Sequence, residues 1–380
     1  SHGYIHKTFR SDLVFIRKIC GKYSESMTGE NAVQKRVSRL RETTINMAHG
    51  SGGKKMRDLI EDVFLGAFNN PLLAPLEDQA VMNLADLAAI GDRLAFTTDS
   101  YVVSPLFFPG GNIGALAVNG TVNDLAMCGA RPLYLSCGMV LEEGLEVEML
   151  RQIAATMRKM ADAVGVAIVT GDTKVVERGA ADKLFINTSG VGVIPAGVNI
   201  KANRATPGDK IIINGFLGDH GAAILLARNE LALETDIETD CQPLYDLVKT
   251  MLAACPDIHC LRDATRGGLG TVLNEFAESS GVNISINETA IPMRENVKGA
   301  CELLGLDPLY LANEGKLVAI IPPEFADAVI EAMRNHPAGT ESAIVGEIGE
   351  RGEPLVVMNT SFGGGRIVDL LVGEQLPRIC

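Results

Sequence analysis

The chain has 380 residues, 47% of them hydrophobic and 21% charged, and a net charge of −13. That length predicts two domains with a core that needs no cross-links, and the acidic balance argues against a general nucleic-acid binder, which would present a basic surface. No apolar run approaches a membrane span, and Leu13-Val14-Phe15-Ile16 is too short for an export signal, so the sequence predicts a cytoplasmic protein whose 8 cysteines stay reduced.

Residues 1–44 carry nine Lys and Arg against four Asp and Glu and show little periodicity. They predict a flexible basic extension, either passive or an arm for a partner. The folded part is predicted from Ile45. His49-Gly50-Ser51-Gly52-Gly53 is a Gly-rich loop. It leads into an amphipathic helix with Met56, Leu59, Ile60, Val63, Phe64, Ala67 and Phe68 on one stripe. A strand is expected at 94–98, a helix rich in small residues at 113–128 and a strand at 133–139. Val147, Leu150, Ile153, Ala154, Met157 and Ala161 mark a further helix. A short buried strand at 166–169 and a Gly-broken strand at 183–194 complete this half.

Composition turns loop-like at 200–209, which places a domain boundary near residue 200. The second half predicts strands at 210–215, 316–322 and 343–348 and helices near 219–231, 243–254, 268–279 and 324–335. The expected organisation is a first domain over 45–200, a second over 201–372 and a tail over 373–380.

No Walker A, G-x-G-x-x-G, H-E-x-x-H or G-x-S-x-G motif is present. The parts of a nucleotide site are present nonetheless. Asp99 and Asp172 each follow a predicted strand, and Asp124 lies in Val122-Asn123-Asp124-Leu125. Carboxylates at the carboxyl ends of strands are well placed for ligands, and hard oxygen donors suit Mg²⁺ bridging phosphates. Gly50, Gly52 and Gly53 could present main-chain N–H groups to those phosphates. Each piece alone also reads as an ordinary turn or cap. Arg262-Asp263-Ala264-Thr265-Arg266-Gly267-Gly268 offers two glycines for close approach and two arginines for anions. His220, in Gly218-Asp219-His220-Gly221, reads as structural. Cys255, His259 and Cys260 lack the spacing of a zinc site.

The sequence ends Pro377-Arg378-Ile379-Cys380. Proline stiffens such a tail and arginine steers it toward anions. It could serve as a swinging arm carrying an acyl-type group on sulfur, or simply display an accidental thiol.

With these motifs the chain resembles the hydrogenase-maturation family of carbamoyl dehydratases. That family lies in the wider aminoimidazole ribonucleotide synthetase-like ATP-binding superfamily. The resemblance covers about residues 45–380 and rests on the terminal Cys380 tail, Gly171-Asp172-Thr173-Lys174 and Asn313-Glu314-Gly315-Lys316, with Thr97-Thr98-Asp99-Ser100 and Asn123-Asp124 shared more broadly. The acidic pair usual before an Ala-Val stretch reads Glu77-Asp78-Gln79, which leaves Asp78 as the match.

The resemblance implies an α+β, two-domain fold: an N-terminal mixed-sheet domain that dimerises and a C-terminal α/β sandwich domain. It implies ATP and Mg²⁺, with Asp78, Asp99, Asp124 and Asp172 on the metal and Gly50, Gly52, Gly53, Asn123, Thr173 and Asp263 around the nucleotide. The implied activity is ATP-dependent dehydration of a carbamoyl group on Cys380, with Glu314 taking protons and Lys174 beside it. A carbamoyltransferase would load the tail, and a hydrogenase iron-assembly complex would receive the cyanide. Two other readings stand beside it: a small-molecule kinase or phosphate-activating synthetase of the same superfamily, and a non-enzymatic metal or cyanide carrier.

Overall fold

The computed structural model describes residues 40–228, 236–373 and 375–380. The extension predicted over 1–44 lies outside this description up to residue 39, as does the end of the helix expected at 219–231. Residues 40–44 belong to the folded part. Leu40 is buried, the Leu40 N–H donates to Asp62 Oδ2 at 2.9 Å, and Thr44 bridges to Glu146.

The first half is built on a four-stranded sheet ordered β1-β6-β4-β5, with β1 (Arg93–Tyr101), β4 (Arg131–Glu142), β5 (Ala167–Val176) and β6 (Leu184–Ile194). A small antiparallel pair, β2 (Phe107–Phe108) and β3 (Gly111–Asn112), stands apart. Only β4 and β5 run parallel, because the helix Val147–Val164 between them makes the crossover that parallel pairing requires. Its buried stripe is the one the sequence periodicity marks.

Two strands run further than the sequence suggests. β1 continues through Asp99, and β5 through Thr170-Gly171-Asp172-Thr173-Lys174. The polar run imitates a loop in composition. On the strand it alternates, with Thr173 buried while Asp172 and Lys174 are exposed.

The second half is a seven-stranded sheet ordered β13-β12-β9-β11-β7-β10-β8. Its strands are β7 (Lys210–Ile213), β8 (Cys260–Asp263), β9 (Val282–Asn287), β10 (Leu317–Ile321), β11 (Ala343–Arg351), β12 (Leu355–Asn359) and β13 (Gly365–Ile367). The sequence reading misses β8, β9, β12 and the helix Glu295–Leu304. The helix Ile113–Met127 joins the halves. Nearly every residue on it is buried, as expected of a helix apolar or small on all sides. Ala126 and Met127 pack with Leu244 and Met251 of the second half. Among the described residues no helix is long and apolar enough to cross a membrane.

The tail is more firmly seated than a weakly packed arm. Ile379 is buried, the Val102 N–H donates to the Cys380 carbonyl at 3.0 Å, and Arg378 pairs with Asp182 at 2.7 Å.

Candidate active site

The Gly-rich segment opens a pocket of about 880 Å³ at the β5 edge of the first sheet. Its floor is Cys137, Met139, Ile168 and Thr173 of β4 and β5. Its wall is a helical segment whose Met56, Ile60, Phe64 and Phe68 face in, and Gly52, Gly53, Asp78 and Asp172 also line it. That segment is Lys54–Leu59, a π-turn at Ile60–Phe64 and Leu65–Phe68. Gly52 takes a left-handed φ of +80° with open space around it, so the chain can turn there without steric cost. Gly50 serves packing instead, because a Cβ there would press on the Val175 main chain at 2.8 Å. It lets the Met47–Gly50 turn pack on β5 and does not line the pocket. On the pocket rim Lys174 Nζ sits 2.7 Å from Asp172 Oδ1, and both are 63% exposed. That hydrogen bond holds the Asp172 carboxyl below its ordinary range.

A second group of carboxylates lies on the sheet face opposite Asp172, the face that also carries Cys137, Met139 and Thr173 of the pocket floor. Thr97 Oγ1 donates to Asp124 Oδ2 at 2.8 Å. Desolvation raises Asp124, nearby Asp99 adds to this, and Arg262 offsets part of it. Asp263 is pushed up to about 7 by desolvation and then by Asp124, with Asp99 adding further. Glu314 is buried, and it is raised well above the carboxylate range by burial, then Asp240, Asp263 and Asp99. Its Oε1 has no hydrogen-bond partner among the described residues.

The Asn-Glu-Gly turn presents this carboxyl by a division of labour. Asn313 accepts the Gly218 N–H and donates to the Ala264 and Leu311 carbonyls. Gly315 lies so close to the Asp240 carbonyl that a Cβ could not fit. Asp240 accepts the Glu314 N–H at 3.0 Å and pairs with Lys316 at 2.9 Å. Burial opposes the charge on Asp240, and Lys316 with the Glu314 N–H outweighs it, so its carboxyl sits below the ordinary range. Asp240 belongs to no sequence motif, and nothing in its neighbours marks it. Lys316 stands in the sequence only as the last residue of Asn-Glu-Gly-Lys.

Three site expectations change. First, the four aspartates proposed for one metal do not meet within a chain. Asp99 pairs with Thr188, Thr188 with Cys137, and Cys137 with Gly171. Asp172, one residue on, therefore points to the other face, three strand spacings or roughly 14 Å away. Among the described residues no group of three or more His, Cys, Asp or Glu is arranged to hold a metal ion. Second, Lys174 does not stand beside Glu314 in the chain, for the same reason of strand parity: it is exposed on the Asp172 side. Third, Asn123 serves the fold: it accepts the Leu244 N–H at 2.7 Å and donates to the Gln242 carbonyl at 3.1 Å. Helical geometry turns Asp124 about 100° away from it, toward Thr97.

Cys380 lies in a groove of about 440 Å³ with Ser100, Val102, Arg266 and Gly267. This is the Asp99 end of β1, and Arg266 is also the cation that acts on Glu314. The thiols of Cys137, at about 12, and Cys301, at about 11, are pushed up by burial, which makes them poor nucleophiles at neutral pH. His259 Nδ1 is engaged by Asp209 at 2.7 Å.

The AIR synthase related protein family matches this chain in two parts, its N-terminal domain over residues 76–194 and its C-terminal domain over 206–359. Carbamoyl dehydratase HypE of Rhodobacter capsulatus is 58% identical over 341 residues, 90% of this chain and 99% of that protein. A crystal structure of hydrogenase maturation protein HypE in complex with ATP superposes with a TM-score of 0.83 at 49% identity, over 88% of this chain and 99% of the other. A HypE–HypF complex matches with a TM-score of 0.71 at 44% identity, over 84% of this chain and 100% of the other.

Proposed function

This chain belongs to the carbamoyl dehydratase HypE family within the AIR synthase related proteins, and on that premise we propose that it converts a carbamoyl group on Cys380 into a thiocyanate at the expense of ATP. The observation that carries this reading is the seated tail: Cys380 shares its groove with Arg266, beside the acidic group that includes Glu314.

A carbamoyltransferase partner loads the sulfur as S–C(=O)–NH₂, and the HypE–HypF complex is a solved example of a related chain held by a partner. The carbonyl oxygen attacks the γ-phosphorus of ATP; the β–γ bridging bond breaks and ADP leaves. The C–O bond then breaks, phosphate departs, and both protons leave nitrogen, giving S–C≡N. Glu314 accepts a proton in this sequence. Burial and the neighbouring carboxylates raise its pKa, which favours its neutral form, so it must lose a proton before it can act and the dehydration rate is expected to rise with pH. The cyanide passes to a hydrogenase iron-assembly complex.

The Gly52–Gly53 pocket would take the nucleotide. Asp124 and Asp263 are each raised by neighbouring carboxylates, Asp99 included, and one or two of these three would suffice to hold a Mg²⁺ ion whose other ligands are phosphate oxygens. When bound it would offset charge on the transferring phosphoryl group. A homodimer completes the reading. The outer face of the first sheet leaves Leu94 59% and Phe96 72% exposed, and a second copy covering them would bring its β5-edge pocket toward the Cys380 groove. A monomer by light scattering at micromolar concentration would overturn this arrangement. The chemistry is tested by mass spectrometry of the C-terminal peptide from carbamoylated protein given ATP. The expected product has lost one water at Cys380; loss of water at another cysteine, or none, refutes the proposal.

A further inference from the structure

The helix Asp219–Ala227 grips the tail at both of its ends. At its C-terminal end Arg228 donates through Nε to the Ser104 carbonyl at 2.9 Å, and through Nη2 to the carbonyls of Pro377 and Arg378, each at 2.8 Å. In its first turn His220, fully buried, has Nε2 2.9 Å from the Ile379 carbonyl and Nδ1 2.8 Å from Thr239 Oγ1. One proton arrangement satisfies all of these. The ring donates from Nε2 to Ile379, Thr239 donates to Nδ1, and Thr239 accepts the Cys241 N–H at 3.1 Å. The Val102 and Ser104 N–H groups donate to the carbonyls of Cys380 and Arg378.

Each of these contacts with the tail ends on a main-chain carbonyl of residues 377–380. They fix where residue 380 stands and do not read the substituent on its sulfur. Taking Cys380 as the carrier, as above, we propose that His220 and Arg228 are positioning residues. They form a clamp that reads the tail's backbone and seats Cys380 beside Arg266 alike as thiol, carbamoyl or cyano form. Release is built into the same segment. Arg378 is docked with a φ of +54°, a left-handed conformation rare for a residue with a side chain. Its guanidinium holds the Val102 carbonyl at 3.1 Å and Asp182. Undocking relieves that backbone, so the tail can be held firmly and still leave to be loaded.

The test is the alkylation rate of Cys380 by iodoacetamide in the full-length protein, followed on the C-terminal peptide, with Cys128 as an internal gauge of the fold. Arg228→Gln, at the surface end of the helix, is expected to speed Cys380 alkylation about tenfold, the size of losing charge-assisted hydrogen bonds, with Cys128 unchanged. Arg228→Lys should fall between it and the parent. His220→Ala should speed alkylation and His220→Gln, which keeps a donor, should restore the slow rate. ATP-dependent water loss from the carbamoylated tail should fall in the same order, while the KM for ATP stays put. A parental alkylation rate in Arg228→Gln overturns the clamp. It leaves the dehydration reading intact, since alkylation needs neither ATP nor a carbamoyl group.

Discussion

On the outer face of the four-stranded sheet, Asp172 has a lysine 2.7 Å away and stands in solvent. On the inner face Glu314 is buried and Asp124 and Asp263 are half-buried, and neighbouring carboxylates raise the cost of ionising each of the three. Both groups are built from motif residues: strand parity turns Asp172 away from the face of Asp99, and Asp124, Asp263 and Glu314 reach that face from a helix, the second sheet and a turn. Surface ion pairs contribute little because water already solvates both charges. Carboxylates that repel one another out of water store unfavourable energy, which a cation, a proton or a substrate can release. The inner face is therefore where the chemistry has most to gain, and the outer group reads as the rim of the nucleotide pocket.

Substitutions should respect this difference. Glu314→Gln removes the buried proton acceptor without changing shape. It should lower the dehydration rate by about 10²–10⁴, the usual worth of a general base, while ATP binding survives. Normal dehydration by this variant would return Glu314 to a structural role. Asp124→Asn and Asp172→Asn then set the two faces against each other. The inner change should weaken Mg²⁺-dependent ATP binding by about 10–100-fold, in line with loss of a metal-site group. The outer change touches a solvated pair and should cost less than about fivefold. Titration calorimetry with ATP and Mg²⁺ gives both numbers, and equal or reversed losses would break the contrast.

The sequence makes some of this plain and hides the rest for physical reasons. The stripe on Val147–Val164 and the small-residue helix Ile113–Met127 are legible because burial imposes a period on side chains. The Gly-Asp-Thr-Lys run reads as a loop because its composition is polar, although pairing with β4 keeps it extended. Asn123 and Asp124 look like one motif, yet one turn of geometry gives the amide to the fold and the carboxyl to the site. Asp240 reaches Glu314 across 74 positions, and Arg228 reaches Arg378 across 150. No local pattern encodes such contacts. The tail reads as loose because nothing in its eight residues announces the helix that holds it.

The smallest effect concerns stability, and its sign is fixed by Asp263. Its folded pKa of about 7 lies above the unfolded value, near 3.9. Below about pH 4 the group is protonated in both states, and its favourable contribution is fully present. Between these values the unfolded chain ionises while the folded one does not, so stability declines as pH rises toward 7 and the loss is then complete. Asp263→Asn cannot ionise and removes that slope. The difference in urea midpoint between the variant and the parent should therefore widen from pH 5 to pH 7.5. The limit is about 1.4 kcal/mol per pH unit, reduced because the side chain is only half-buried. Added Mg²⁺ with ATP should narrow the gap if the cation relieves the inner carboxylates. Parallel pH profiles would show that Asp263 ionises as freely folded as unfolded, and the distinction between the faces would lose its electrostatic basis.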